Sequence, residues 1–166
     1  MGSCSNIHIS NTNIGTGDDC IAILSGTTNL DISNVKCGPG HGISVGSLGK
    51  NKEEKDVKDL TIRDIVFNGT SDGIWIKTWE SSASKILVSN FGESHVQIQD
   101  IKLKNIYGTS KNKLAVNLQC SKSFPCKNVE LIDINLKNNG LDSSTAMCEN
   151  VDGSTSGKMV PQYCLN

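Results

Sequence analysis

An acidic pair and a glycine-flanked histidine are the residues whose types and spacing could do chemistry. Asp18 and Asp19 follow a glycine, and His41 stands between two glycines. Each group leads into a short stretch of alternating apolar residues, and these stretches are 22 positions apart, as Ile21 and Ile43 show. If they form neighbouring parallel strands, about 4.8 Å apart, a carboxylate and an imidazole share one surface patch. The pattern predicts an acid–base site.

Short internal repeats indicate the fold that would hold this site. An apolar residue followed two positions later by Asn or Asp recurs at Ile9-Ser10-Asn11, Ile32-Ser33-Asn34, Ile62-Arg63-Asp64, Val88-Ser89-Asn90, Ile98-Gln99-Asp100 and Leu131-Ile132-Asp133. A second set of short alternating stretches interleaves with them at Cys20–Ile23, Gly42–Val45, Gly73–Lys77 and Leu114–Leu118. Alternation indicates strands, and Asn or Asp suits the bends between them. We predict an all-β chain folded as a right-handed parallel β-helix of several coils, in preference to a β-sandwich.

The repeat spacing has one irregularity. From Ile9 the repeats follow at intervals of 23, 30 and 26 positions, but only 10 positions separate Val88 from Ile98. Ten residues are too few for a complete coil. The spacing therefore predicts that part of a coil, or a whole one, is missing here from a single domain covering residues 1–166.

Composition and charge exclude several classes of function. A net charge of −1 gives no electrostatic reason to bind nucleic acid or an anionic membrane. No apolar run approaches the roughly 18 residues of a membrane span. The first residues lack the basic start and apolar core of a signal peptide, so this chain by itself is not addressed for export.

The seven cysteines point to an oxidising compartment nevertheless. They form three local pairs and leave Cys4 over: Cys20 with Cys37, Cys120 with Cys126, and Cys148 with Cys164. Zinc is the alternative, but no CxxC or HxxxH spacing is present. We therefore expect disulfides and no metal.

The motifs Gly17-Asp18-Asp19, Gly40-His41-Gly42 and Ile76-Lys77, in this order within a β-helix, resemble those of plant-type polygalacturonases, the pectin-cleaving glycoside hydrolases. The resemblance implies inverting hydrolysis of the α-1,4 bonds of polygalacturonate. By it, Asp18 matches the general acid and Asp19 one of the carboxylates that activate water. His41 matches the histidine supporting the acid, and Lys77 the cation that holds a substrate carboxylate. It also implies a monomer in the cell wall or extracellular space, without a cofactor.

Three departures from the family pattern leave alternatives open. The family's Arg-Ile-Lys reads Trp75-Ile76-Lys77, and we expect the Trp75 indole to pack on a sugar rather than merely cover the cleft. The upstream Asn-Thr-Asp motif would lie before residue 1, as if the chain were the C-terminal part of a longer domain. Neither Tyr107 nor Tyr163 matches the family's cleft tyrosine. An inactive β-helix that binds pectin, or a structural remnant, is therefore the alternative to an active hydrolase.

Overall fold

The computed structural model describes residues 1–79, 94–141, 143–162 and 164–165. Over these residues, no helix is long and apolar enough to cross a membrane. In chain order the strands are β1 Ser5–Ile14, β2 Ile21–Ile23, β3 Thr28–Cys37, β4 Ile43–Leu48, β5 Val57–Thr70, β6 Ile74–Thr78, β7 Ile98–Ser110, β8 Leu114–Gln119, β9 Cys126–Asn138, β10 Thr145–Glu149 and β11 Val151–Val160.

The strands alternate between two parallel sheets. Sheet A contains the odd-numbered strands in the order β1-β3-β5-β7-β9-β11, and sheet B contains the even-numbered strands in the order β2-β4-β6-β8-β10. Neighbouring strands in both sheets run parallel. A chain that adds one strand to each sheet in turn winds as a coil, so the predicted parallel β-helix is confirmed.

Apolar side chains stack in rows between the sheets. In sheet A the residues at one equivalent position of successive strands are Ile9, Ile32, Ile62, Leu103 and Leu131. In sheet B the corresponding row is Ile21, Ile43, Ile74 and Val116. All of these except Ile9 are buried. Because successive residues of a strand face opposite sides, each inward row leaves an outward row beside it.

Asparagine and aspartate residues bend the long strands of sheet A. The residues Asn11, Asn34, Asp64, Asn105 and Asp133 all have φ between 52° and 57°. Asn and Asp tolerate this left-handed conformation better than other non-glycine residues. Their side chains also bond between coils: Asn34 Nδ2 donates to Asn11 Oδ1 at 2.6 Å. Bends were predicted at four of these residues, Asn105 being the exception, but between strands; the structure places them within the long strands.

The structure corrects the alignment of one repeat. The sequence pattern equates Ile98 with Ile62, but Ile98 pairs with Val57, and the partner of Ile62 is Leu103. The error arose because Ile98 and Leu103 are each followed two positions later by Asp or Asn, so that the two sites have the same local pattern. Strand β5 pairs directly with β7, so the stack continues across this point. The repeat predicted at Val88-Ser89-Asn90 lies outside the described residues.

The last coil escaped prediction altogether. Strands β10 and β11 run from Thr145 to Val160 and are mostly exposed or half-buried. Their sequence is rich in Ser, Thr, Gly and charged residues, so it shows no aliphatic alternation. They pair with β8 and β9, whose backbone groups they satisfy as the next strands of the stack.

The three predicted cysteine pairs are confirmed as disulfides: Cys20–Cys37, Cys120–Cys126 and Cys148–Cys164. Cys4 is a free thiol. The first of these bonds ties the segment that carries the acidic pair to the end of β3.

Candidate active site

The acidic pair and the histidine lie in adjacent coils, at the entrance to sheet B. Asp18 and Asp19 precede β2, and His41 precedes β4. The backbone ladder begins before the strands do, since the His41 N–H donates to the Asp18 carbonyl at 2.8 Å. Gly42 is required here: its φ is +110°, and a Cβ would lie 2.4 Å from the Gly73 carbonyl oxygen. The register inferred from the 22-residue offset is confirmed by the pairing of β2 with β4.

Side-chain contacts join these groups into one cluster. His41 Nδ1 lies 3.3 Å from Asp18 Oδ1. The same Asp18 oxygen accepts a hydrogen bond from the Asp19 backbone N–H at 2.7 Å. One ligand atom from each of Asp18, Asp19 and His41 lies within 4.8 Å of the others. The structure thus brings together Asp18, Asp19 and His41, the three residues for which the sequence predicted catalytic roles.

Adjacent strand residues point to opposite faces, and the structure shows how Asp18 and Asp19 avoid this. Residues 15–20 lie between β1 and β2 rather than in a strand, so strict alternation does not apply to them. Gly15 and Gly17 belong to this segment, and neither has a positive φ, so the bend needs no conformation that is open only to glycine.

Ser44 is a member of the site that sequence reasoning missed. Its Oγ donates to Asp19 Oδ2 at 2.5 Å. Ser44 lies on the outward side of β4, in register with Trp75 of β6. The available signal was its position two residues after Gly42, where the alternation of β4 directs a side chain outward.

Trp75 and Lys77 lie on the outward side of β6 and share a small pocket with Asp19. The pocket has a volume of about 180 Å³ and is lined also by Asp19, Ser44 and Gly46. It contains one carboxylate, one cation and one indole. The structure therefore brings both predicted substrate-binding residues beside Asp19.

Another depression, of about 600 Å³, lies at the ends of β1, β3 and β5 and includes Asn13, Lys36 and Asn68 in its lining. Its lining, among the described residues, contains no carboxylate or histidine. Despite its larger volume, it lacks the groups that acid–base chemistry requires.

The acid–histidine pair is open to solvent. The Asp18 side chain is 86% exposed and that of His41 is 49% exposed. Ready access to water suits a hydrolytic reaction, while the backbone N–H of Asp19 restrains the Asp18 carboxylate. Such a set of donors could also ligate a divalent cation, so activity assays should include a chelator control.

The remaining sequence predictions are resolved by position. Asp72 lies in a turn before β6 and accepts a hydrogen bond from Asn112 Nδ2 at 2.9 Å. Tyr107 is on β7 in sheet A and is 45% exposed, away from the pocket in sheet B. Tyr163 lies outside the described residues.

Known proteins resemble this chain along nearly all of its length. An exopolygalacturonase of Zea mays is 39% identical over 195 positions, which cover 99% of this chain and 48% of the relative. A polygalacturonase of Brassica napus is 40% identical, covering 99% and 49%. An exopolygalacturonase of Oenothera organensis is 40% identical, covering 99% and 53%. The chain thus spans about half the length of these relatives.

The alignments also bear on the irregular repeat spacing. The maize comparison has 195 aligned positions against a chain of 166 residues, so at least 29 positions of the relative have no counterpart here. That is the size of one coil, as the 30-residue interval between Ile32 and Ile62 shows. The family model described as Glycosyl hydrolases family 28 matches residues 1–93 and 88–159. These two segments overlap at residues 88–93, where the missing coil was predicted. By that match, the chain belongs to glycosyl hydrolases family 28.

Proposed function

We propose that this chain hydrolyses the α-1,4 bonds of polygalacturonate. The observation that carries the proposal is the cluster of Asp18, Asp19 and His41, of which Asp19 shares a pocket with Lys77. An acid, a base and a cation for the substrate carboxylate are the groups that this reaction needs.

In the proposed mechanism Asp18 protonates the departing glycosidic oxygen. His41 Nδ1, 3.3 Å from Asp18 Oδ1, orients the acid. Asp19 takes a proton from the attacking water, with its carboxylate held by the Ser44 hydroxyl. Lys77 binds the carboxylate of the sugar unit in the pocket. Bond cleavage thus releases one new reducing end and one non-reducing end.

The test compares the chain with Asp18→Asn in a reducing-end assay on de-esterified polygalacturonate, with EDTA present. We expect turnover in the wild type and a loss of at least about 100-fold in the variant, because a positioned general acid contributes about that much. Asp152→Asn is the matched control, since Asp152 is exposed on β11 and remote in sequence from the cluster. Equal rates for wild type and Asp18→Asn would overturn the assignment of the acid.

The stereochemistry of the product tests the role of Asp19. Inverting glycosidases usually hold their two carboxyl groups about 6.5–9.5 Å apart, and retaining enzymes about 5–5.5 Å apart. Atoms of Asp18 and Asp19 lie within 4.8 Å, but the exposed Asp18 side chain can turn away to admit water. We expect the inverted anomer as the first product in a ¹H NMR time course. A retained anomer would make Asp19 a nucleophile instead of a base.

The relatives named exopolygalacturonases support attack at chain ends. Under this proposal the first products resolved by anion-exchange chromatography are monomers, whereas internal attack gives a ladder of oligomers. We also propose that the protein acts as a monomer in the cell wall.

The second candidate function is pectin binding without hydrolysis. It is favoured by Trp75, an indole at the position where the family pattern has an arginine. A pull-down with immobilised pectin separates the candidates if the assay finds no turnover. Retention on pectin supports a binding protein, and its absence supports a structural remnant.

A further inference from the structure

The outward face of sheet B continues beyond the acidic pair in two parallel rows. The first row consists of Ser44, Trp75, Asn117 and Met147 on β4, β6, β8 and β10. The second consists of Gly46, Lys77, Gln119 and Glu149 on the same strands. Since neighbouring strands are about 4.8 Å apart, the rows offer successive positions along any chain molecule lying across the strands.

The charges along these rows suit a single substrate carboxylate. Lys77 is the one cation among the eight row positions. The next strand places the neutral Gln119 beside it, and β10 places the exposed carboxylate of Glu149 beyond. A fully de-esterified galacturonan carries a negative charge on every sugar. The sugars that follow the one bound to Lys77 would therefore face the Gln119 amide and then the Glu149 carboxylate, which repels them. Lys113 belongs to neither row: it precedes β8, at the margin of the sheet where Asp18, Asp19 and His41 precede their strands.

The first row is uncharged and offers apolar surface. Trp75 and Met147 contribute an indole and a thioether, and Met147 is 42% exposed. Asn117, on the strand between them, is only 4% exposed. Trp75 Nε1 and Asn117 Oδ1 are both buried and have no hydrogen-bond partner within the described part of the chain. Because both atoms are covered in this structure, the row presents its apolar surface to a ligand rather than these two polar groups.

We propose that this face selects pectin in which the sugar units beyond Lys77 are methyl-esterified. An ester removes the charge that Glu149 opposes and adds a methyl group that packs on Trp75 and Met147. The inference rests on the proposed function, which it deepens by naming the form of the substrate.

The test measures equilibrium binding of the chain to two galacturonans of equal length, one de-esterified and one about half methyl-esterified. We expect the half-esterified polymer to bind at least about tenfold more tightly, with weaker dependence on salt. Trp75→Arg places a cation in the first row, so that this face has two, and should reverse the preference. Trp79→Arg is the matched control, because it adds the same charge on the same coil, at an exposed position outside both rows.

A second variant keeps the test decisive if Trp75→Arg does not fold. Glu149→Gln removes the like charge from an exposed position of β10 and should strengthen binding of the de-esterified polymer alone. Tighter binding of the de-esterified polymer by the wild type would overturn the inference. So would an equal effect of Trp75→Arg and Trp79→Arg. Turnover of de-esterified polymer without any preference for esters would leave the proposed function standing and defeat only the inference. A preference for esters without turnover would defeat the proposed function and leave the inference about esters standing.

Discussion

At the scale of single residues, the Ser44 hydroxyl orients the base of the proposed reaction. Its bond to Asp19 Oδ2 joins β4 to the segment before β2. A hydrogen bond to a charged group contributes about 1.5–3 kcal/mol. We expect Ser44→Ala to lower kcat by about 10- to 100-fold while leaving KM nearly unchanged, because Ser44 acts through Asp19.

Steady-state kinetics on polygalacturonate measure this effect, with Ser156→Ala as a control on the exposed part of β11. An unchanged kcat for Ser44→Ala would show that Asp19 needs no such support. A rise in KM alone would assign Ser44 to substrate binding instead.

The residues of the cluster differed in how readily the sequence revealed them. Asp18, Asp19 and His41 could be placed together because a fixed offset between two strands becomes a lateral contact in a parallel stack. Ser44 could not, since a serine on the outer face of a strand is ordinarily a solvated side chain. Only the structure shows which acceptor its hydroxyl meets.

At the scale of the strands, the left-handed Asn and Asp residues hold the bends of sheet A in place. Asn105 has φ of 53°, and its Nδ2 donates to Asp64 Oδ1 at 2.6 Å. We expect Asn105→Ala to lower the free energy of unfolding by about 1–2 kcal/mol, since alanine disfavours this conformation. Asn105→Gly keeps the conformation accessible and should cost less, although it too loses the side-chain bond. Urea unfolding of both variants measures the difference.

A larger loss for Asn105→Gly than for Asn105→Ala would contradict this account. It would show that the side-chain bond and chain entropy, rather than the backbone conformation, decide the contribution of the bend.

A second bend residue provides a test by pH. Asp100 accepts hydrogen bonds from Asn128 Nδ2 at 2.7 Å and from Gln99 Nε2 at 2.8 Å. The bond from Asn128 is the largest cause that lowers the pKa of Asp100 below its ordinary value, and the bond from Gln99 is the next. Because the folded-state pKa is the lower one, the stabilisation is present above about pH 3.9 and is lost as pH falls through the folded-state pKa.

Asn128→Gly tests this cause while preserving the left-handed backbone, since Asn128 has φ of 51°. We expect the pKa of Asp100 to rise in the variant, as followed by NMR titration of its carboxyl carbon. Gln99→Ala should have the smaller effect, because its bond is the weaker cause. An unaltered titration in Asn128→Gly would rule out the inter-coil bond as the source of the lowered pKa.

At the scale of the whole molecule, the fold was predictable because each coil repeats the same pattern, so several weak signals reinforce one another. The final coil was not, because β10 and β11 are stabilised by pairing with β8 and β9 rather than by their own sequence. The register at Ile98 failed for a related reason. Two bends per strand give two nearly identical local patterns, and only the pairing of whole strands distinguishes them.

One continuous core between the sheets should make the molecule unfold as a unit. Ile62 is fully buried and stacks between Ile32 and Leu103 in sheet A. We expect Ile62→Ala to lower the free energy of unfolding by about 2–5 kcal/mol and Ile62→Val by about 0.5–1.5 kcal/mol.

Far-UV circular dichroism follows all strands, whereas the fluorescence of Trp75 and Trp79 reports on the coil of β6 in the opposite sheet. Both transitions should shift together in Ile62→Ala if the core couples the sheets. Separate shifts would show instead that individual coils unfold by nearest-neighbour steps.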